Sequence, residues 1–555
     1  MRRSIFSSFA FLNATQFLGA LNDNIFRLTT VFLGIGLLGE GKTNLIVLIA
    51  GAFFVAPFIL FSLPSGTLAD RISKRTILVA MKGAEVIIMA LGMASFYYQT
   101  LWGAYAVLFL MAAQSAVFGP AKYGIVPELV SREKIAIANG ILTGATVIAT
   151  ILGVLLASLL TDLTHRNLVL VGAFCTAVAL LGLFTSLAIE KTPPAGSTSK
   201  INAHLFSQIL RVMKRARGEN YLFTSILGSA YFYLIGSFVQ LNSLPFTIEN
   251  LGLTDVQSGY LFSVAALGIA VGAFLAGKLS GRYVELGLSP ITGLILGLFF
   301  CFTELGAGSI IAAILLLAFL GGLGGMFLVP FDAYTQSASL DHERGENVSA
   351  ANFLAFIGVL LSVGLFYLSS TLFHLSSIGS FRVMGIVTIA ISLSLSLRLT
   401  DTFVRLAARL LHFRPAHRQI QGADKISHHH PTLFLCSTPT PEAGLLFMII
   451  LQQRYMRLVI EEPEKPSPLF RFVCRLAKVG FYQGAITPGG PVGPKAALWL
   501  KRGYSVALLP RKPESISLAS LAQTLAKERH VDLLHIRLTA KGPGRWAPPM
   551  RAVIS

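Results

Sequence analysis

The sequence predicts an α-helical polytopic membrane protein with about 12 transmembrane helices in two six-helix halves, followed by a smaller cytoplasmic α/β domain. Of its 555 residues, 54% are hydrophobic and only 13% are charged, whereas a soluble protein has about 25% charged residues. The mean hydropathy is +0.69. A helix needs roughly 20 apolar residues to cross a bilayer, and twelve stretches approach or exceed that length. They lie at 6–38, 44–68, 76–98, 101–124, 137–160, 168–189, 221–247, 256–279, 288–304, 308–330, 347–372 and 380–398.

The charges outside these stretches divide the chain and orient it. A polar, basic linker at 190–220 separates two halves, 1–189 and 221–398, as in transporters built from a parallel repeat of six helices. The loops on one side carry most of the cations, and the loops on the other side carry carboxylates. Because cations gather on cytoplasmic loops, both termini are predicted to be cytoplasmic. The formal net charge of +19 follows from this topology, and no nucleic-acid partner is expected.

The four cysteines lie far apart, at Cys175, Cys301, Cys436 and Cys474. Their spacing predicts neither a metal site nor a disulfide framework. No metal and no cofactor are expected.

A charged motif, GTLADRISKRTIL at 66–78, joins the second and third apolar stretches. It resembles the loop between the second and third helices of the major facilitator superfamily, which has the pattern Gly-x-Leu-Ala-Asp-Arg-x-Gly-Arg-Arg. Ser73 and Lys74 depart mildly from that pattern. The resemblance implies a twelve-helix transporter that works by alternating access.

The resemblance also implies that this loop latches the two halves together. Asp70 is expected near a helix N-terminus across the interface between the halves, with Arg71 and Arg75 paired to carboxylates such as Glu128. The alternative is that these cations only fix the topology. The predicted latch comprises Gly66, Asp70, Arg71, Lys74, Arg75 and Glu128.

The second half carries weaker copies of first-half motifs. Gly277-Lys-Leu-Ser-Gly-Arg282 is the counterpart of the charged motif, with Gly281 at the position of Asp70. VFGPAKYG at 117–124 is echoed by FLVPFDAY at 327–334. These pairs favour an internal repeat.

Several polar residues lie within the apolar stretches, where an ionisable group costs at least ~2.5 kcal/mol unless it is paired or faces a cavity. Asp23 and Lys122 have opposite charge on neighbouring spans and are predicted to pair along a substrate cavity. Lys82 and Glu85 lie three residues apart and are predicted to neutralise each other. The predicted substrate-binding residues are Asn22, Asp23, Asn24, Arg27, Lys122, Tyr123 and Asp332.

A narrower resemblance covers roughly residues 6 to 398. GALNDN at 19–24, FGPAKYGIVPELV at 118–130 and VPFDAYTQ at 329–336 are similar to motifs of the bacterial lysophospholipid transporter branch, with Asp332 in place of an Asn. This implies transport of lysophospholipids across the inner membrane toward the cytoplasmic leaflet. Asp23 and Arg27 would match a headgroup amine and phosphate, and Lys122 would add a phosphate contact.

The segment after residue 398 is predicted to have no span of its own. Phe403, Leu406, Leu410 and Phe413 recur at helical spacing, which predicts an interfacial amphipathic helix and linker at 399–425. Short apolar runs at 432–435, 506–509 and 533–538 alternate with helical stretches. They predict an α/β domain at 426–555.

This tail resembles the glycerolipid acyltransferase domain that is fused to lysophospholipid transporters in some bacteria. Such domains need a His-x4-Asp pair, in which His is the general base and Asp orients it. Thr438 and Ala443 occupy those positions, and Arg511 and Lys512 replace the Glu-Gly of a second motif. The domain is therefore predicted to be inactive, either as a decaying remnant or with a non-catalytic role.

The chain is thus predicted to be a transporter and not an enzyme, a monomer that contacts membrane lipids and relies on a separate lysophospholipid acyltransferase. One alternative is an exporter of drugs or small metabolites on the same scaffold. A second alternative is a bifunctional transporter and acyltransferase with residual acyl-transfer activity.

Overall fold

The structure, a computed structural model, divides into two compact units, Met1–Leu395 and Ser396–Ser555. The predicted boundary at residue 398 lies close to this division. The described residues of the first unit and its last helix are 5–131, 134–198, 205–219, 221–253, 255–280 and 284–402. In the tail they are 406, 420–421, 432–437, 456–461, 468, 480–482, 496–497, 500, 505–509, 532–540 and 550–554.

The first half consists of six long helices and one short one. The short helix α5 covers Val126–Leu129 and follows directly after α4, which ends at Gly124. The long helices are α1 (Ile5–Leu38), α2 (Thr43–Arg71), α3 (Lys74–Tyr97), α4 (Leu101–Gly124), α6 (Ile135–Leu163) and α7 (Leu168–Leu187).

A linker helix, α8 (Leu205–Gly218), connects the first half to six further helices. Its apolar side is buried at Ile209 and Val212, and its other side is polar and basic. The helices of the second half are α9 (Leu222–Leu251), α10 (Asp255–Ser280), α11 (Leu288–Cys301), α12 (Ile310–Ala338), α13 (Arg344–Tyr367) and α14 (Ser377–Arg398).

Ten of the described helices are long and apolar enough to cross a membrane. Two further predicted stretches coincide with α1, which carries the polar run 22–24 and Arg27, and with α11, which has only 14 residues. The other ten coincide with these ten helices. The helical multi-span prediction is confirmed for the part of the chain that the structure describes.

The most extensive contacts between the halves are made by two helix pairs, α2 with α13 and α6 with α10. They are related by the predicted repeat, because α2 and α10 are the second helices of their halves, and α6 and α13 are the fifth. The glycines support this relation. A Cβ on Gly66 of α2 would lie 2.5 Å from the backbone oxygen of Gly345 in α13, and one on Gly277 of α10 would lie 2.9 Å from that of Ala136 in α6. Both contacts need a glycine because the backbones touch.

The described part of the tail contains a seven-stranded sheet, in the order β1-β7-β6-β2-β5-β3-β4. All neighbouring strands are parallel except β6 and β7. Residues of the central strands β2 and β5 are fully buried, as expected where both faces of a parallel sheet are covered. The strands are β1 (Ile420–Gln421), β2 (Thr432–Ser437), β3 (Met456–Glu461), β4 (Gly480–Tyr482), β5 (Ser505–Leu509), β6 (Asp532–Ala540) and β7 (Met550–Ile554).

The three apolar runs predicted as strands coincide with β2, β5 and β6. The positions that decide the acyltransferase chemistry, Thr438, Ala443, Arg511 and Lys512, lie outside the described residues. So does most of the predicted interfacial helix at 399–425.

Candidate functional site

A cavity of about 290 Å³ lies between the two halves of the helix bundle. Helices α1, α2, α3, α4 and α6 of the first half supply most of its wall, and α9 and α13 close it from the second half. Its apolar wall includes Phe54, Phe58 and Phe356, and the rings of Phe58 and Phe356 stack across the interface with centroids 4.4 Å apart. Its polar wall is formed by Gln16, Asp23, Asn24, Ser62, Lys82, Glu85, Gln114, Ser115, Lys122, Tyr123, Thr146, Thr150, Tyr233 and Asn352.

Asp23 and Asn24 of α1 line this cavity as predicted. The Ser115 hydroxyl donates to Oδ2 of Asp23 at 2.8 Å, whereas Oδ1 is buried without a hydrogen-bond partner in the described chain. Asn24 accepts from Nη2 of Arg27 at 3.1 Å. The Arg27 guanidinium also lies 5.1 Å from the ring centroid of Phe54. Of the α1 residues predicted for the site, Asp23 and Asn24 thus line the cavity, whereas Arg27 is not among its lining residues and is held beside them by Asn24.

Lys122 and Tyr123 line the same cavity from the end of α4. The Nζ of Lys122 lies 4.5 Å from the centroid of the Tyr123 ring. Among the described residues Asp23 and Lys122 do not form the direct ion pair that was predicted; Oδ2 of Asp23 accepts from Ser115 instead. Both charges face one cavity and interact only electrostatically, without a direct contact.

Asn22 and Asp332 were predicted here and lie elsewhere. Asn22 is buried and donates to Oε1 of Glu85 at 3.2 Å, so it supports a wall residue from behind. Asp332 of α12 lines a separate, smaller cavity and accepts from the Ser229 hydroxyl at 2.7 Å. The two cavities share Tyr123, Tyr233 and Asn352.

Lys82 and Glu85 form the predicted ion pair, with Nζ and Oε2 2.6 Å apart and both side chains almost fully buried. The sequence reasoning treated them as a self-contained pair and missed that they line the cavity. Their spacing of three places both on one helix face, and charged residues in a span face the protein interior. Applied together, these two rules would have predicted that Lys82 and Glu85 line the cavity.

The hydroxyl and amide residues of the wall were also missed. The Thr146 hydroxyl lies 2.8 Å from both Oε1 of Gln16 and the Leu142 carbonyl, and its single O–H donates to one or the other. Threonines in helices commonly bond the carbonyl four residues back. Their presence in a span therefore carries no signal of a cavity.

At one end of the bundle, called here the motif end because it carries residues 66–75, Asp70 bridges the two halves. Its carboxylate accepts from the backbone N–H of Gly345 at 2.7 Å and of Glu346 at 2.9 Å. These are free N–H groups of the first turn of α13, where a negative charge is stabilised by the helix dipole. Asp70 is fully buried. The expected contact with a helix N-terminus across the interface is present.

The cations of the motif are arranged differently from the prediction. Lys74, and not an arginine, pairs with Glu128 at 2.6 Å, because α3 begins at Lys74 and turns it inward, where it is fully buried. Arg75 donates to the carbonyls of Leu187 and Ile189 at the end of α7, whose last carbonyls have no partner within the helix. Arg71 is exposed and has no ion pair among the described residues. The expectation that Arg71 and Arg75 pair with carboxylates is wrong.

Two further contacts join the halves at the motif end, and the sequence reasoning missed both. The amides of Asn139 and Gln336 exchange hydrogen bonds of 2.9 and 2.6 Å between α6 and α12. The linker helix α8 contacts both halves, since Gln208 donates to the Leu63 carbonyl of α2 at 2.9 Å and Arg215 pairs with Glu346 of α13 at 3.0 Å. The halves are closed together at this end. The second copy of the motif reaches the described residues only up to Ser280, so Gly281 and Arg282 lie outside them.

Related proteins match most of the bundle. The family model of the Major Facilitator Superfamily matches residues 6–363. A protein named "Lysophospholipid transporter LplT" from Citrobacter koseri is 28% identical over 367 residues, which is 64% of this chain and 87% of the relative. Its counterpart from Salmonella newport is 29% identical over 368 residues, covering 64% of this chain and 86% of the relative.

Solved structures share the fold. The human organic anion transporter MFSD10 matches with a TM-score of 0.59 at 14% identity, over 71% of this chain and 100% of that one. A bacterial homologue of the iron transporter ferroportin, in an outward-facing state, matches with a TM-score of 0.56 at 15% identity, over 72% and 100%. With the family match over more than half of its length, this chain belongs to the Major Facilitator Superfamily: it is a multi-pass membrane transporter, not an enzyme.

Proposed function

We propose that this transporter moves lysophospholipids across the inner membrane toward the cytoplasmic leaflet, where they are reacylated. The observation that carries the proposal is the charge arrangement of the 290 Å³ cavity, taken with the 28–29% identity to lysophospholipid transporters. A rival reading is an exporter of drugs or small metabolites.

The headgroup would bind through the charges that the cavity leaves unpaired. A headgroup amine needs an acceptor, and Oδ1 of Asp23 is a buried acceptor that no donor reaches in the described chain. A headgroup phosphate needs cations, and in the described chain Lys122 lies against the Tyr123 ring and Arg27 against the Phe54 ring, with Asp23 acting on both only electrostatically and not through a direct ion pair. Charge-assisted hydrogen bonds of this kind are about twice as strong as neutral ones.

The acyl chain would leave the cavity between helices. A volume of 290 Å³ is at the lower end for small-molecule sites, so it suits a headgroup with its glycerol and leaves the chain in lipid. The stacked pair of Phe58 and Phe356 lies between α2 and α13. Parting of that pair would open a lateral, apolar path.

The motif end would be the cytoplasmic gate. Asp70 and Gly66, which contact α13 of the second half, hold it closed in the present conformation, and their release would expose the cavity to the cytoplasm. The pair of Lys74 with Glu128 lies within the first half, between α3 and α5, and braces that end. Arg71 then helps to fix the membrane topology, and Arg75 binds the carbonyls at the end of α7. Both termini lie on this cytoplasmic side, and the transporter acts as a monomer.

The tail would contribute no acyl transfer, because Thr and Ala cannot act as the general base and its orienting acid. A separate lysophospholipid acyltransferase would complete the remodelling. The test is acyl transfer by the purified full chain from a labelled acyl donor to a lysophospholipid. Product formation above that of a heat-inactivated sample would establish the bifunctional alternative.

Transport is tested in spheroplasts of a bacterial strain that lacks its own lysophospholipid transporter. The full chain and a truncation after Thr400 are compared for uptake of labelled lysophosphatidylethanolamine. We expect uptake with the full chain, loss in Asp23→Asn and in Lys122→Ala, and no change in Asp162→Asn, an exposed carboxylate at the opposite end of α6. Uptake that is absent from the full chain, or unaltered in both cavity variants, would exclude the proposal. Uptake by the truncation shows whether the tail is needed.

A further inference from the structure

A second cavity, of about 20 Å³, lies beside the substrate cavity and close to the motif end. That volume holds about one water molecule or one small ion. Oxygen-bearing side chains dominate its wall. The lining residues are Tyr123, Ser229, Tyr233, Asp332, Thr335, Gln336, Val348, Ala351 and Asn352.

Asp332 is the one carboxylate among the residues lining this cavity. It lies in the membrane-spanning helix α12, and its sole hydrogen-bond donor in the described chain is the Ser229 hydroxyl, at 2.7 Å from Oδ1. Lys122 acts on it electrostatically, but the two form no ion pair among the described residues. A carboxylate inside a membrane protein needs a compensating charge or a proton.

Thr335 supplies an independent sign of a missing partner. It lies three residues after Asp332, on the same helix face, and is 2% exposed. Its Oγ1 has no hydrogen-bond partner in the described chain, although buried hydroxyls are nearly always satisfied. The carboxylate also acts electrostatically on the hydroxyls of Tyr123 and Tyr233. Asp332, Thr335, Tyr123 and Tyr233, each with a side-chain oxygen, therefore line a space the size of one ion.

We propose that this cavity binds one monovalent cation of the size of Na⁺. Carboxylate and hydroxyl oxygens are the ligands that hard cations prefer. A single carboxylate balances one positive charge, whereas the described chain has no cluster of three acidic, His or Cys side chains that would favour a divalent or transition metal. The site is independent of the substrate proposed above.

The site draws on both halves of the transporter. Tyr123 belongs to α4 of the first half, while Ser229, Tyr233, Asp332 and Thr335 belong to α9 and α12 of the second. Beside it, the amide exchange between Asn139 and Gln336 holds the halves together. The full ligand set exists only while the motif end is closed. Cation binding therefore favours that conformation, as any ligand favours the state that it binds better.

The experiment is a titration of the purified full chain in detergent with NaCl, KCl and choline chloride at constant ionic strength, read as the midpoint of thermal unfolding. A ligand that binds only the folded state raises the midpoint in proportion to the logarithm of its concentration once the site is saturated. We expect that rise with NaCl and not with choline chloride. Superimposable NaCl and choline chloride curves would overturn the proposal, and so would a response to pH without a response to Na⁺.

Variants distinguish a ligand site from a general salt effect. Asp332→Asn should abolish the Na⁺ response, and Thr335→Val, which removes one ligand and keeps the shape and charge, should weaken apparent Na⁺ affinity roughly 10–100-fold. Tyr123→Phe should weaken it as well, because it removes the first-half ligand. Asp162→Asn is the matched control and should respond like the wild type. A wild-type Na⁺ response in Thr335→Val and Asp332→Asn would refute the assignment without bearing on the lysophospholipid assay.

Discussion

Asp70→Asn is the substitution that most directly tests the latch. The side chain keeps its shape, and its one remaining carbonyl oxygen can still accept from Gly345 or Glu346, which now lie 2.7 and 2.9 Å from the two carboxylate oxygens. The new amide NH₂ must then face the other backbone N–H, donor against donor. One hydrogen bond is lost, and the other loses its charge.

The magnitude follows from those two contacts. Hydrogen bonds to a charged group contribute about 1.5–3 kcal/mol each, and a neutral one about 0.5–1.5 kcal/mol. Replacing two of the first kind by one of the second costs the closed motif end about 2.5–4.5 kcal/mol. At 1.4 kcal/mol for a factor of ten, the closed-to-open ratio falls roughly 60- to 1,600-fold. A hundredfold change takes a 99:1 equilibrium to about 1:1, so a second conformation becomes populated.

Pulsed electron paramagnetic resonance between two nitroxide labels measures that population. Ile72, 42% exposed in the first half, and Leu340, 56% exposed in the second, flank the latch and accept labels after replacement by Cys. The labelled protein is a variant from which the four native cysteines have been removed. We expect a new, longer distance in Asp70→Asn and an unchanged distribution in Asp162→Asn, which removes an exposed carboxylate at the other end of the bundle. Identical distributions for wild type and Asp70→Asn would refute the reasoning.

Three further predictions follow from the same geometry. Gly66→Ala should also lengthen the label distance, because its Cβ would lie 2.5 Å from a backbone oxygen of α13; an unchanged distance would show that the two helices accommodate the Cβ without separating. Lys74→Met should lower the midpoint of thermal unfolding, because it removes the fully buried partner 2.6 Å from Glu128 and leaves only Arg344, whose Nη1 lies 4.0 Å away. Adding Glu128→Gln should restore part of the loss; purely additive losses would contradict the pairing. Breaking the pair of Lys82 and Glu85 by either single Met substitution should cost about 3–5 kcal/mol, and the double Met variant should be closer to wild type; thermal unfolding in one detergent compares all three, and a double variant worse than both singles would argue against the ion pair.

The sequence predicted the helices well because the membrane imposes a simple rule. A span needs a long apolar stretch, and even the breaks at Gly39 and at 72–73 coincide with helix ends. The contact of Asp70 with a helix N-terminus was also predictable, because the family motif carries that role. The partners of the cations in the motif were not predictable, because they depend on the residue at which each helix begins. With α3 starting at Lys74, that side chain faces inward and Arg75 faces the end of α7.

The candidate substrate site was predicted only in part, because the sequence does not show which interior space a polar residue faces. Asp23, Asn24, Lys122 and Tyr123 were found because polar residues in a span are rare and face the interior. That rule does not tell which interior space they face, so Asn22 and Asp332 were assigned to the same cavity although they contact Glu85 and Ser229.

The two main helix pairs between the halves occupy equivalent positions in the repeat but differ in chemistry, and this difference suits them to different mechanical roles. The pair of α2 and α13 carries Asp70, whose hydrogen bonds to α13 are lost within a small displacement, because hydrogen bonds weaken steeply with distance and angle. In the related pair of α6 and α10, Gly281 stands at the position of that Asp, so this position offers no carboxylate. Instead, Gly140 and Gly277 let the backbones touch, with a Cβ on Gly140 only 2.4 Å from the oxygen of Ala273. Packing of small residues tolerates rotation that a hydrogen bond to a helix end does not. The pair of α6 and α10 therefore suits a pivot, and the pair of α2 and α13 suits the side that opens, where the stacked rings of Phe58 and Phe356 border the substrate cavity.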